Sequence, residues 1–275
     1  MREKASGSEG ADAGRLHAVV QVAETGLTLE HVASFPLATF APSSPAREAA
    51  ERMRQLGFDV AGVDDEDGLH RYVILQDLEG KGPVDERSRS IDTRHLLPAS
   101  LSLAEGLDAL RRHPFYFVLR GRSVEGILTR ADIQRPAVSM LTFGLILAAE
   151  AGLDLLITES CGDSWNQLLS EGRQDKAEQV LESRRRSNAE LTLLDCLMLE
   201  DRICVLRKSR DLRERLEFAS GAEVSAWGEG LKRLRDTLAH GGSLLDYEPD
   251  PQTALELVHD TRAAAHRVWQ QVVAS

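Results

Sequence analysis

Apolar residues recur along this chain in two different rhythms, and the change between them comes near residue 137. From Leu37 to Pro136 they come in short runs broken by turn residues, in the order extended segment, helix, two strands and short helix, read twice over. In the first copy Ser43 and Ser44 precede Pro45, which predicts an N-cap and a first helical residue. Ala46, Ala49, Ala50, Met53 and Leu56 then share one face, and Gly57 stops the helix. Phe58 to Val63 and Tyr72 to Leu75 read as strands around the turn Asp64 to Gly68. In the second copy Ser100 or Ser102 caps a helix through Leu103, Leu107 and Leu110. Pro114 ends it, and strands Phe115 to Leu119 and Val124 to Leu128 flank the turn Arg120 to Ser123.

After Ala137 the period is helical, with no convincing strand. Val138 to Ile157 is long and mostly apolar, but Glu150 and Asp154 interrupt it, so it reads as a buried bundle helix and not a membrane span. Asp163 to Ser183 and Glu190 to Arg207 predict two amphipathic helices. Leu212 to Phe218 is a short helix or a link, and Val224 to His240 and Pro251 to Val273 close a four- or five-helix bundle.

Composition narrows the class. At 275 residues the chain is comfortable for two domains. Met1 to Gly14 lacks the apolar core of a signal peptide, so a cytoplasmic location is expected. Cys161, Cys196 and Cys204 are odd in number and sit in apolar helical context, which reads as reduced core residues and neither a disulfide frame nor a metal site. A net charge of -11 argues against a broad electrostatic nucleic-acid binder, so any RNA site must be local. Arg184, Arg185 and Arg186 are candidates for it, or simply a solvated helix face. His31, His70, His95 and His113 show no ligand spacing. His259 and His266 lie seven apart, which suggests a common helix face.

The second copy ends in Val124-Glu125-Gly126-Ile127-Leu128-Thr129-Arg130-Ala131-Asp132-Ile133. Aspartate can accept from two hydroxyls at once, and a strand turning into a helix offers free N-H groups that favour phosphate. The same residue types also serve merely as a helix cap. This Thr-x-x-Asp ending resembles that of CBS domains, which come in pairs and often sense adenine nucleotides. The resemblance implies that Thr129 lies near the phosphates and Asp132 on the ribose hydroxyls, with Arg130 a further phosphate candidate. It implies AMP, ADP, ATP or a related molecule as regulatory ligand. The first copy, Tyr72 to Glu79, lacks Thr-x-x-Asp in register, so one competent pocket per pair is expected.

The run Leu231 to Gly242 sets Arg235, Asp236 and His240 at a helix end. RNA carries its own nucleophile, the 2′-hydroxyl, so cleavage without metal needs only proton transfer and charge stabilisation. His240 suits the first and Arg235 the second. Five residues at about 100° each put these two about 140° apart, so one helix does not aim both at one phosphate. Gly241-Gly242 terminates the helix, and its negative end favours a protonated imidazole. The bland alternative is a C-terminal histidine cap, with Arg235 paired to an acid such as Asp236 or Glu229.

Arg-x4-His with a polar second residue resembles the active-site motif of HEPN domains, helical bundles many of which are dimeric RNases in toxin, defence and RNA-processing systems. The resemblance implies two motifs facing across a dimer, with Asp236 as orienter; the family more often has Asn there. The expected fold class is α+β: a partly flexible segment 1–30, a CBS pair of βαββα repeats at 31–136, and an all-α HEPN-like bundle at 137–275. The expected function is a nucleotide-regulated, metal-independent endoribonuclease acting on single-stranded RNA. It would be a homodimer through the helical domain, with no required cofactor, no metal, no membrane and no DNA substrate. The rival is a catalytically inert CBS-HEPN scaffold that signals nucleotide state to a protein partner. A third reading is an antitoxin-like or nucleotidyltransferase-partner module.

Overall fold

The computed structural model describes residues 20–22, 24–65, 68–186 and 191–274. The chain divides into two units, residues 27–133 on one side and residues 134 onward, joined by the stretch before Leu27, on the other. Of the segment 1–30, residues 1–19 lie outside the described residues. Residues 20–26 belong with the helical unit, because Val20 packs on Ala148 and Trp269 while Glu24 takes Arg262 and His266 at 2.7 Å each. Their apolar and charged contacts are long range, which no local pattern displays.

The unit 27–133 carries the repeat. Its first copy is β1 (Thr39–Phe40), α1 (Ala46–Leu56), β2 (Val60–Asp65) and β3 (Gly68–Ile74), and β4 (Arg89–Ser90) joins its sheet. The second copy is β5 (Leu96–Pro98), α2 (Leu103–Leu110), β6 (Phe115–Arg120) and β7 (Ser123–Thr129). In each copy the first strand runs parallel to the second and the second antiparallel to the third. Both hairpins shift register at the same place, between Val63 and Asp64 and between Val118 and Leu119. The short helices that follow are 3₁₀ turns, Leu75–Asp77 and Arg130–Gln134.

On α1, Ala46, Ala49, Ala50 and Met53 are buried against Ala61, Val63 and Val73, and small side chains allow the helix close to its sheet. Gly57 ends α1 at φ 71, a left-handed conformation that glycine adopts without steric cost. The cap at the other end differs from expectation. Pro45 itself is the N-cap, without a side-chain hydrogen bond, because the Ser44 carbonyl is engaged by Val84 N at 2.8 Å. Ser102 caps α2, accepting from Glu105 N at 3.2 Å.

Leu37, Tyr72, Phe117 and Ile127 form a second cluster between the two sheets. The chain ahead of the first copy lies along β7, with Ser34 N donating to Ile127 O at 2.8 Å and Leu37 N to Glu125 O at 2.7 Å. A side chain at Gly126 would strike the Ser34 carbonyl and the Phe35 ring, so this approach requires glycine.

The helical unit is α3 (Pro136–Cys161), α4 (Glu171–Arg185), α5 (Leu199–Lys208), α6 (Arg210–Arg215), α7 (Gly221–Ala239), α8 (Leu244–Tyr247) and α9 (Pro251–Val273). By length and composition α3 could cross a membrane. In this fold it is a core helix, burying Leu141, Leu145, Leu153 and Leu156 and accepting Trp269 Nε1 at Ala148 O, 3.1 Å. Gly152 faces Val268 and Trp269 on α9, and Gly228 on α7 faces Ile203 on α5.

Two predicted helices are shorter than expected. The segment from Asp163 breaks at Leu169, because Gly162–Leu168 is a 3₁₀ turn and Ser170 is the N-cap of α4. The segment expected from Glu190 begins outside the described residues; from Leu191 onward it holds the 3₁₀ turn Leu194–Cys196 and becomes α-helical only at Leu199, with Asp195 accepting from Thr192 N at 2.7 Å. Thr and Asp spaced for such a turn compete with helix hydrogen bonding.

Candidate functional site

The last turn of α7 is closed by paired main-chain bonds. Gly242 N reaches Thr237 O at 3.0 Å, Gly241 N reaches Leu238 O at 3.1 Å, and Gly241 sits at φ 82. This Schellman closure makes His240 the C-cap residue, its N-H on Asp236 O at 3.1 Å. The His240 imidazole is exposed and has no hydrogen bond or ion pair among the described residues. It stands at the C-terminal end of a 19-residue helix.

Arg235 is placed differently from the sequence expectation. Its partner is neither Asp236 nor Glu229 but Glu150 on α3, at Nε to Oε1 3.4 Å, with the arginine side chain 26% exposed. The contact is ionic: Glu150 Oε1 is buried and has no hydrogen bond. Glu150 belongs to a larger buried cluster. Arg202 on α5, only 8% exposed, grips Asp154 through Nε and Nη2 at 2.7 Å each and lies 3.9 Å from Glu150. Burial pushes the Glu150 carboxyl above its ordinary range, opposed first by Arg235 and then by Arg202. Burial also pushes Asp154 up, opposed by the Arg202 hydrogen bonds. Sequence reasoning missed Glu150, Asp154 and Arg202 as partners of the motif. The sole signal was two acids inside an otherwise apolar helix, residues that are rarely buried without a cation.

In the other unit, Thr129 and Asp132 meet. Asp132 is 5% exposed, and its Oδ2 accepts from Thr129 N at 2.7 Å and Thr129 Oγ1 at 2.9 Å. Its Oδ1 receives Ser34 Oγ at 3.5 Å. The pair therefore caps the Arg130–Gln134 turn, with the half-buried Thr129 the more open of the two. Arg130 Nε donates to Leu110 O at 3.1 Å, which ties that guanidinium to the end of α2.

Two residues passed over for their spacing, His95 and His113, come together at the same end of β7. Their rings stand edge to face 5.1 Å apart, and His95 lies 6.2 Å from Phe115, the ladder partner of Thr129. His95 Nδ1 is buried without a hydrogen bond. At the opposite end of β7 is an open cleft of about 940 Å³, lined by Phe35, His70, Thr93, Arg120 and Arg122 among others. Arg120 there is paired with Glu30 and stacked 3.7 Å over the Phe35 ring. Among the described residues no group of three or more His, Cys, Asp or Glu could hold a metal ion.

No protein-family model matches the chain, and no curated protein matches it. Solved structures do. One is a CBS domain protein from Pyrobaculum aerophilum complexed with AMP, at 16% identity and TM-score 0.36, covering 42% of this chain and 98% of that one. Another is CBSX2 in complex with AMP, at 19% identity and TM-score 0.37, covering 42% and 98%. A third is a CBS domain-containing protein of unknown function from Bacillus anthracis, at 19% identity and TM-score 0.34, covering 40% and 91%.

Proposed function

We propose that this chain is a nucleotide-regulated, metal-independent endoribonuclease of the cytosol that works as a homodimer. In this reading residues 31–136 are a CBS pair and residues 137–275 a HEPN-type bundle. The observation that carries it is the end of α7: a Schellman closure presents an exposed His240 at a helix C-terminus, while Arg235 is braced by a buried acid one helix away. A histidine so placed is a proton carrier, and an arginine so braced has a fixed direction.

Chemistry needs two copies, because Arg235 and His240 diverge by about 140° on one helix. One copy's His240 takes the 2′-hydroxyl proton as that oxygen bonds to phosphorus. The other copy's His240 protonates the 5′-oxygen as the P–O5′ bond breaks. The two Arg235 guanidinium groups stabilise the charge on the phosphoryl oxygens. Products are a 2′,3′-cyclic phosphate and a 5′-hydroxyl. The test is a labelled single-stranded RNA incubated with the protein in EDTA, with AMP, ADP, ATP or no nucleotide. DNA should be inert. No cleavage of RNA under any nucleotide sinks the reading.

Dimerisation is required, so light scattering at tens of micromolar should give twice the chain mass. A strict monomer with and without nucleotide removes the composite site. For the sensor, Asp132→Ala should weaken adenine nucleotide binding by about 1 to 3 kcal/mol, read by thermal shift and calorimetry. The same variant loses the Thr129 cap, about 1 kcal/mol of stability. Equal nucleotide affinity in wild type and variant would mean that the ligand, if bound, sits elsewhere.

One observation favours a second reading. Arg235 engaged by Glu150 is also what a structural ion pair looks like, and an inert dimer presenting nucleotide state to a protein partner would retain it. Nucleotide binding with dimerisation but without cleavage selects that reading.

A further inference from the structure

Helix α4 sets three of its basic residues beside its apolar ones. Glu171, Asp175, Glu178 and Glu182 are exposed and fall on one face, together with Arg185 and with Arg186, which pairs with Glu182, while Arg173, Lys176 and Arg184 share the opposite face with Ala177 and Val180, about 180° round the helix. Ala177, its single fully buried residue, lies on this basic face and turns it toward the rest of the helical unit.

That face forms one wall of a groove of about 740 Å³, whose other wall holds Cys196, Met198, Glu200 and Asp201. Both acids are already neutralised, Asp201 by Arg173 and Glu200 by Lys232. Lys176 and Arg184 are exposed cations on this groove, Arg184 also donating to Asp195 O at 3.4 Å, and Val180 and the 55% exposed Met198 give the groove an apolar floor. In a chain of net charge -11 this is a local exception. A basic rim over an apolar floor matches a nucleotide chain, whose phosphates carry the charge while its bases bury apolar faces. Glu200 on the groove wall pairs with Lys232 of the motif helix, one turn before Asp236.

We infer that this groove is a binding track for single-stranded RNA, with Lys176 and Arg184 on its phosphates. The inference deepens the ribonuclease reading and rests on it for the choice of RNA over other polyanions. Its test is the affinity of the full-length protein for a fluorescein-labelled single-stranded oligoribonucleotide, by anisotropy over a series of KCl concentrations. In Lys176→Gln/Arg184→Gln the affinity should fall about tenfold at low salt. The slope of log affinity against log salt should shrink by about 1.4, the equivalent of two single-strand phosphate contacts. Glu178→Gln/Glu182→Gln, on the opposite face, should retain wild-type affinity.

Unchanged affinity and slope in the basic double variant would overturn the proposal, as would a wild type that binds no RNA. A polyglutamate peptide that competes as well as RNA would make the groove an acidic-peptide site and overturn the assignment too. The two readings fail separately. Cleavage by wild type with normal RNA binding by the double variant removes the groove and keeps the nuclease. Groove-dependent binding without cleavage does the reverse.

Discussion

Replacing His240 by alanine is expected to slow RNA cleavage by about 10² to 10⁴-fold, because it removes the proton-transfer group from both halves of a two-copy site. Arg235→Ala should cost a similar factor, through charge stabilisation. The two variants should differ in stability. His240 is exposed and its side chain makes no hydrogen bond or ion pair among the described residues, so its removal should leave the fold intact. Arg235 neutralises Glu150, so its loss strands a carboxylate that burial already disfavours. The measurement is initial cleavage rate in EDTA alongside urea melts. Cleavage that survives His240→Ala would come from a contaminating nuclease and would refute the assignment.

Arg202→Met should destabilise the helical unit by about 3 to 5 kcal/mol, the usual cost of removing one partner from a buried charge pair. Arg202 is the most deeply buried cation of the cluster; from α5 it bonds to α3 through Asp154 and, through its Nη1, to the carbonyl of Leu197 just ahead of its own helix. Adding Asp154→Leu should restore much of the loss, since an apolar pair of similar volume avoids the desolvation cost.

The pH dependence has a definite sign. Burial raises both Glu150 and Asp154 in the folded state. Their contribution is therefore fully present below about pH 4, the unfolded range, and is lost as pH rises through the raised folded values. Without Arg202, which opposes that rise, the loss should be larger. The variant should then be most impaired near neutrality and partly recover toward pH 4. Urea denaturation at pH 4 and pH 7 checks this. A deficit under 1 kcal/mol at pH 7 would show that Arg202 does not hold the cluster.

The helical segments that the sequence located best are those with local punctuation. Pro251 to Val273 begins on a proline and an Asp250 cap and was legible to the residue, as was α1 from its alanine face to Gly57. The repeat was legible because period-two runs and turn residues recur in both copies, and hairpins are closed by neighbours in sequence. The helix end at His240-Gly241-Gly242 was legible for the same reason. Propensity misjudged the segment beginning at Asp163 and the described stretch from Leu191 to Met198, where Gly162 and the Thr192-Asp195 turn favour other local bonds.

What only the tertiary structure decided is every pairing across long separations. Sequence named Arg235 but not Glu150, 85 positions away, since an ion pair between helices leaves no spacing signal. It named Thr129 and Asp132, but not the burial of Asp132 under Ser34. It listed His95 and His113 as unrelated, and the parallel strand order brings their rings together. It read Arg184 to Arg186 as one cluster. The helix phase instead turns Arg184 into the groove and leaves Arg186 on Glu182. Local periodicity fixes which residues share a face, because the backbone repeats every 3.6 or 2 residues. Which face meets which depends on burial and charge neutralisation across the folded chain, and those energies exist only once the elements are assembled.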